Sequence, residues 1–287
     1  MSPLDIAIIA TIGLAAGALG GLAGIGGSLV MLPGLVLFLG YETSQTYHTY
    51  MAAAMMVNIA VSVPAAIRHN KAGAVRFDVA RSILPVMAVS IIVGVLISDQ
   101  DSKSFILQFL LACFIGVYCL INLARFFRKS AEPTAEHERI KPLQLGAIGA
   151  GTGVVAGLLG IGGGIVMIPL LQIFSRLNIR HAIGTSSAIM CLTAVVGAIT
   201  KLITLGQHGQ SPADAFVFAI IMAPGAVVGA WTGARLTHSL PLQAVRVVIS
   251  LLLLVAAARL AESALSSLLE GSADAPPANV APDPDAP

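Results

Sequence analysis

The sequence predicts an all-α polytopic membrane protein made of two inverted repeats, each a short broken-helix hairpin plus three spanning helices. Three observations carry this expectation. Hydrophobic residues make up 56% of the 287 and charged residues only 10%, with a mean hydropathy of +0.89. Soluble domains approach ~25% charged residues, so lipid must cover the apolar surface that a chain of this length cannot bury. The apolar residues fall into ten runs, and two glycine-rich stretches are near copies of each other.

The copies organise the rest. Gly20-Gly21-Leu22-Ala23-Gly24-Ile25-Gly26-Gly27-Ser28-Leu29-Val30-Met31-Leu32-Pro33 matches Ala156-Gly157-Leu158-Leu159-Gly160-Ile161-Gly162-Gly163-Gly164-Ile165-Val166-Met167-Ile168-Pro169 at a constant offset of 136 positions (24 to 160, 33 to 169). The register continues through His48-Thr49-Tyr50 and Gly184-Thr185-Ser186. With three inserted residues, Pro85 and Gly94 then fall on Pro224 and Gly233. The domains follow: residues 1–127 form the first transmembrane repeat, 128–142 a cytoplasmic linker, 143–262 the second repeat, and 263–287 a disordered acidic, Pro-rich tail with nothing to bury.

The elements follow in order. The first repeat holds apolar runs at roughly 6–22, 28–39, 47–67, 79–98 and 105–126, and the second at 143–159, 164–175, 182–205, 214–236 and 241–262. The last three of each half have the length of spanning helices, about 20 residues for a ~30 Å hydrocarbon core. The run from Ser28 to Leu39 has 12 residues; at ~1.5 Å per residue it rises only ~18 Å and cannot cross. A short run next to a glycine break makes a helical hairpin turning at membrane depth. Irregular backbone is tolerated there only where protein buries it or water reaches it. The N-terminal Met1-Ser2-Pro3-Leu4-Asp5 has no Lys or Arg, which makes it a poor signal-peptide start, so the first run is expected to stay in the mature protein.

Loop charges set the orientation. Arg68, Lys71, Arg76 and Arg81, then Arg125, Arg128, Lys129, Arg139 and Lys141, mark two cytoplasmic connections by the positive-inside rule. In the second half the basic residues move to other connections, with Arg176 and Arg180 after the hairpin and Arg235 after the next-to-last helix. The second copy is therefore expected upside down, with both termini outside.

Helices that start inside a membrane present unpaired N–H groups and a positive dipole end, and glycine lets those amides come close to a ligand. Such an end favours an anion without a buried cation. The candidate substrate-binding set is therefore Gly24, Gly26, Gly27 and Ser28 with Gly160, Gly162, Gly163 and Gly164. Hydroxyl and amide donors join it from the runs that follow: Thr49, Tyr50 and Asn58 in the first half, Thr185, Ser186 and Ser187 in the second. Glycine in membrane helices also serves close packing, and Thr and Ser also bond their own helix. Two copies beside segments too short to span favour the ligand reading. His48 stands where the second half has Gly184 and is the candidate for ion coupling. Lys201 is expected to snorkel to the interface.

Several classes are excluded. The net charge of +2 implies no nucleic-acid partner. Cys113, Cys119 and Cys191 form no CxxC pair, which speaks against a metal site or disulfide framework. The glycine strings lack the Lys-Ser/Thr of a phosphate loop, and no cofactor motif is present. No acid, base and nucleophile set lies within the runs, so an enzyme is not expected. A metal-cation transporter would need intramembrane carboxylates, and none occurs between Thr43 and Asp78 or between Arg180 and Asp214.

The pair GLAGIGGSLVMLP and GLLGIGGGIVMIP resembles the signature of the TauE/SafE family of bacterial membrane transporters. Ala182-Ile183-Gly184-Thr185-Ser186, Ala223-Pro224-Gly225-Ala226, Gly233-Ala234-Arg235 and Leu242 to Arg246 extend the resemblance, which covers about residues 5–262. It implies movement of sulfite, sulfoacetate or related organosulfonates across the bacterial inner (cytoplasmic) membrane, driven by a coupling ion such as a proton or sodium. The sequence departs from the pattern at Ser28, where the second copy has Gly164, and at His48-Thr49-Tyr50, where it has Gly184-Thr185-Ser186. The functional expectation is a secondary transporter of small sulfur-containing anions working by alternating access. An anion channel of the same architecture and a transporter of another small carboxylate or oxyanion are the alternatives. The partners expected are the anion, the bilayer and, compatibly with this plan, further copies of the chain.

Overall fold

The computed structural model describes residues 2–39, 44–98, 141–206 and 210–241, together with single helical positions between 113 and 123 and between 244 and 265. Eight helices are continuous there: α1 (Pro3–Ala23), α2 (Ser28–Leu39), α3 (Ser44–Lys71), α4 (Phe77–Ser98), α5 (Pro142–Leu159), α6 (Gly164–Phe174), α7 (Ile179–Leu205) and α8 (Pro212–Ser239). Six of them, all but α2 and α6, are long and apolar enough to cross a membrane. The chain is a polytopic all-α membrane protein. The expected linker lies outside the described residues except Lys141 and Pro142. The expected tail does so except Leu265, a helical position.

Local chemistry sets the helix ends. Ser2 and Asp5 form a reciprocal capping box at the start of α1, with Pro3 in the first turn. Asn178 caps α7 and Ser211 caps α8, each side chain accepting an amide two residues on. The α1–α2 and α5–α6 breaks are near copies in space as well. Gly24 and Gly160, both at φ 65°, close the preceding helices by donating to Gly20 O and Ala156 O at 2.8 and 3.0 Å. Gly26 and Gly162 follow at φ 80° and 72°. The left-handed region is costly for any residue with a Cβ, which is why the duplicated glycines stand there.

Small residues decide which helices pair. A Cβ on Gly13, Gly17 or Gly21 of α1 would lie 2.4, 2.2 and 2.3 Å from the carbonyl oxygens of Met222, Ala226 and Ala230 of α8. In the second half, Gly149, Gly153 and Gly157 of α5 meet Ile83, Met87 and Ile91 of α4 in the same way, at 2.9, 2.7 and 2.3 Å. These stripes, one glycine every four residues, let backbones touch where lipid supplies no hydrophobic drive. Each half thus packs its first helix on the fourth helix of the other.

Contact order along these pairs gives helix directions. Rising numbers on α1 meet rising numbers on α8, so the two run parallel, as do α4 and α5. Tyr50 stacks edge-on against Phe218 and His69 against His238, so α3 also runs parallel to α8. In contrast, α3 and α7 are antiparallel: His48 reaches Lys201 while Ala74, just past α3, reaches Gly184. Arg76 meets Thr185 and Ile91 meets Gly197, which makes α4 parallel to α7. Helices α1, α3 and α8 run one way, and α4, α5 and α7 the other. Cys119 Sγ donates to Ser250 O at 3.3 Å, joining the two segments described only at single positions.

Candidate functional site between the two breaks

The two breaks meet in the interior. A Cβ on Gly164 would lie 2.4 Å from Gly24 O and 2.6 Å from Ile25 Cα, so the start of α6 rests directly on the first break. The Ser186 hydroxyl of α7 donates to Gly24 O at 2.8 Å and fixes that junction from the side. Residues 24–29 are buried throughout, whereas Gly162 keeps partial exposure.

Asn58 of α3 and Met190 of α7 stand between the breaks and touch both. Asn58 Oδ1 accepts from the Gly27 amide at 2.7 Å and the Ser28 amide at 3.2 Å. Its Nδ2 donates to Ser28 Oγ. The same Nδ2 lies 2.7 Å from where a Cβ of Gly162 would be, and the Met190 methyl lies 2.6 and 3.1 Å from the equivalent points on Gly26 and Gly162. Asn58 is 1% exposed and Ser28 fully buried, so every bond of this set forms in a water-poor setting where an unmade one would be costly. In chemical terms, a neutral oxygen with partial negative charge occupies the helix-start amides of the first break. An oxyanion oxygen would make the same two contacts.

The predicted residues divide by place. Gly24, Gly26, Gly27, Ser28, Asn58, Gly162, Gly164 and Ser186 are brought together at the junction. Gly160 lies against Met51, and Gly163 against Met87 and Thr152, on the flanks of the second break. The others face elsewhere in this conformer. Ser187 bonds back to Ile183 O of its own helix at 3.0 Å. Thr49 donates to Gln210 Oε1 at 2.8 Å, and Thr185 Oγ1 accepts from the Arg76 amide at 3.0 Å. Matching hydroxyls thus tie α3 and α7 each to the connection that leads into a parallel neighbour. Tyr50 packs its ring edge-on against Phe218 at 5.2 Å.

His48 lies toward the Thr49 end, with its Nδ1 2.8 Å from Lys201 Nζ. The lysine is 0% exposed, which corrects the expectation that it snorkels: its amine turns inward to a histidine of the other half. Met190 was not anticipated, although it stands four residues after Ser186 on the same helix face. A second pair also escaped notice: His69 is bonded to His238 at 2.8 Å and to Gly21 O at 3.1 Å. The carbonyl requires a proton on His69 Nε2, so in the neutral ring Nδ1 accepts from His238. Among the described residues no group of three His, Cys, Asp or Glu side chains could hold a metal. Cys119 is buried, Cys191 half-buried and Cys113 exposed, all as free thiols. Arg76 is engaged with Asp78 at 2.8 Å.

Comparison with known proteins adds to this geometry. A family model described as Sulfite exporter TauE/SafE matches residues 9–260. The probable membrane transporter protein MamO of Magnetospirillum gryphiswaldense is 25% identical over 84% of this chain and 42% of its own length, so the chain spans about two-fifths of that relative. The probable membrane transporter protein YunE of Bacillus subtilis is 23% identical over 88% of this chain and 96% of its own. The corresponding figures for the probable membrane transporter protein MJ0441 of Methanocaldococcus jannaschii are 26%, 87% and 93%. No solved structure matches the chain.

Proposed function

The chain belongs to the sulfite exporter TauE/SafE family, whose curated relatives are probable membrane transporters, and from that membership we propose a secondary transporter of small sulfur-containing anions in the cytoplasmic membrane. Sulfite, sulfoacetate and related organosulfonates are the substrate class, carried by alternating access. The observation that carries this proposal is the Asn58 carboxamide, whose oxygen rests on the Gly27 and Ser28 amides while its nitrogen faces Gly162.

In the proposed cycle, an arriving oxyanion displaces Asn58 Oδ1 from those amides. Asn58 Nδ2 and the Ser28 hydroxyl then become donors to the anion. Neutral donors hold the oxyanion by charge-assisted hydrogen bonds and leave no buried countercharge behind when it departs. The helix directions support an inverted-repeat plan: three helices of the first half run opposite to their counterparts in the second, α1 to α5, α3 to α7 and α4 to α8. Such plans place the substrate near the midplane, where broken helices meet. The set α1, α3, α8 then rocks against the set α4, α5, α7. Links crossing between the sets include the break-to-break contact, Ser186 to Gly24, Asn58 to Gly162, Met190 to Gly26, Lys201 to His48, and the Arg180 guanidinium donating to Leu240 O at 2.9 Å. His48 is the side chain proposed to sense a coupling proton.

Purified protein in liposomes, offered sulfite, sulfoacetate, thiosulfate and taurine under imposed pH gradients, tests this. Saturable, gradient-driven flux of at least one anion is expected, falling at least tenfold in Asn58→Leu while the variant still inserts. Flux that neither saturates nor responds to a gradient would overturn the transporter mechanism. Wild-type rates in Asn58→Leu would remove the site.

A further inference from the structure

The geometry points to a site for the headgroup phosphate of an anionic phospholipid where α3 and α8 end, formed by Arg68, Lys71, Trp231 and Arg235. Helices α3 and α8 are parallel neighbours, so their C-terminal ends lie at the same face of the bundle. Val63, Ile67 and Lys71 stand at four-residue steps on α3, and Val227, Trp231 and Arg235 at the same steps on α8, so each trio forms one stripe along its helix. Both stripes are exposed. Val63 and Ile67 keep 41% and 45% of their surface open, Val227 and Trp231 43% and 38%. Each stripe begins apolar and finishes on an exposed cation.

At that finish the charges converge. The Arg68 guanidinium carbon lies 5.8 Å from the centre of the Trp231 ring and Lys71 Nζ 5.6 Å from it. The indole face attracts each cation, but two cations on one ring repel each other, and Arg235 adds a third one turn away. Among the described residues none of the three is in an ion pair, and the carboxylate nearest in sequence, Asp78, is engaged by Arg76. The excess positive charge lacks a counter-ion from this part of the chain. A phosphate diester supplies it, and its acyl chains fit the apolar part of the same two stripes, which a free anion would leave bare. Tryptophan and basic side chains are also the residue types that sit at headgroup depth.

Native mass spectrometry of the full chain with equimolar phosphatidylglycerol and phosphatidylcholine tests the assignment. Wild-type protein is expected to retain phosphatidylglycerol severalfold over phosphatidylcholine. Arg68→Gln with Lys71→Gln should bring that ratio near one, whereas Arg81→Gln with Lys141→Gln should leave it unchanged. If the first double variant does not fold, the exposed single changes Lys71→Gln and Arg235→Gln replace it, each expected to lower the ratio at least twofold. An unchanged ratio in the variants, or no preference in the wild type, overturns the site. Displacement of the lipid by millimolar inorganic phosphate would also overturn it, by showing a free-anion site instead. None of these readouts depends on transport.

Discussion

Lys201 Nζ lies 2.8 Å from His48 Nδ1, with the lysine fully enclosed and the two residues drawn from opposite halves of the chain. A buried amine that loses a hydrogen-bond partner costs stability. His48→Ala is therefore expected to lower stability by about 1–3 kcal/mol, read as earlier thermal unfolding in detergent. Combining it with Lys201→Met should recover most of that loss. Additive losses in the double variant would show that the two side chains are not coupled.

At the breaks, Gly26→Ala and Gly162→Ala should each reduce transport at least tenfold without preventing insertion. The new methyl must adopt φ 80° or 72° and meets Met190 or Asn58 at 2.6–3.1 Å; the backbone term alone costs roughly 1–2 kcal/mol. Met190→Ala added to Gly26→Ala should restore part of the activity, because it removes the Cε that the methyl strikes. Initial rates in liposomes decide, and no rescue would leave backbone strain as the whole effect.

Helix pairing gives a contrast within one residue type. Gly17→Leu drives a side chain into the carbonyl of Ala226, where even a Cβ would be 2.2 Å away. It should abolish a monodisperse peak in size-exclusion chromatography. Gly146→Ala, at a position with nothing within 4 Å, should leave the profile and the thermal midpoint unchanged. Equal effects at both sites would refute the proposed role of the glycine stripe.

The His69–His238 pair ties α3 and α8 to Gly21 O of α1, two residues before that helix ends. His69→Leu removes both bonds and strands the carbonyl and the second imidazole, for an expected loss of about 1–3 kcal/mol. His238→Leu leaves the bond to Gly21 intact and should cost less. Thermal unfolding of the two variants in parallel checks the order.

Much of this is legible in the sequence. The duplicated glycines announced themselves because no other residue adopts the backbone at Gly26 and Gly162 without strain, and the 12-residue length of α2 follows from where Ser28 and the break stand. Asn58 was legible as an intramembrane amide, though not as an acceptor for Gly27. The hydroxyls were less legible. Whether Thr49 faces a ligand or Gln210 depends on a partner 161 positions away, which no local pattern encodes. Lys201 misled for a related reason: a lysine near a helix end looks able to reach water, and only packing by the other half turns it inward. Met190 carries no signal in the sequence because its contact with both breaks arises only when the halves meet.

The exchange of helices between halves has a consequence for how the molecule is made. When the ribosome has completed α4, neither α1 nor α4 yet has its mate, and both glycine stripes must wait in the bilayer for α5 and α8. The protein is thus a pair of interlocking hooks, not two modules in series. Severed halves should accumulate only when produced together in one cell.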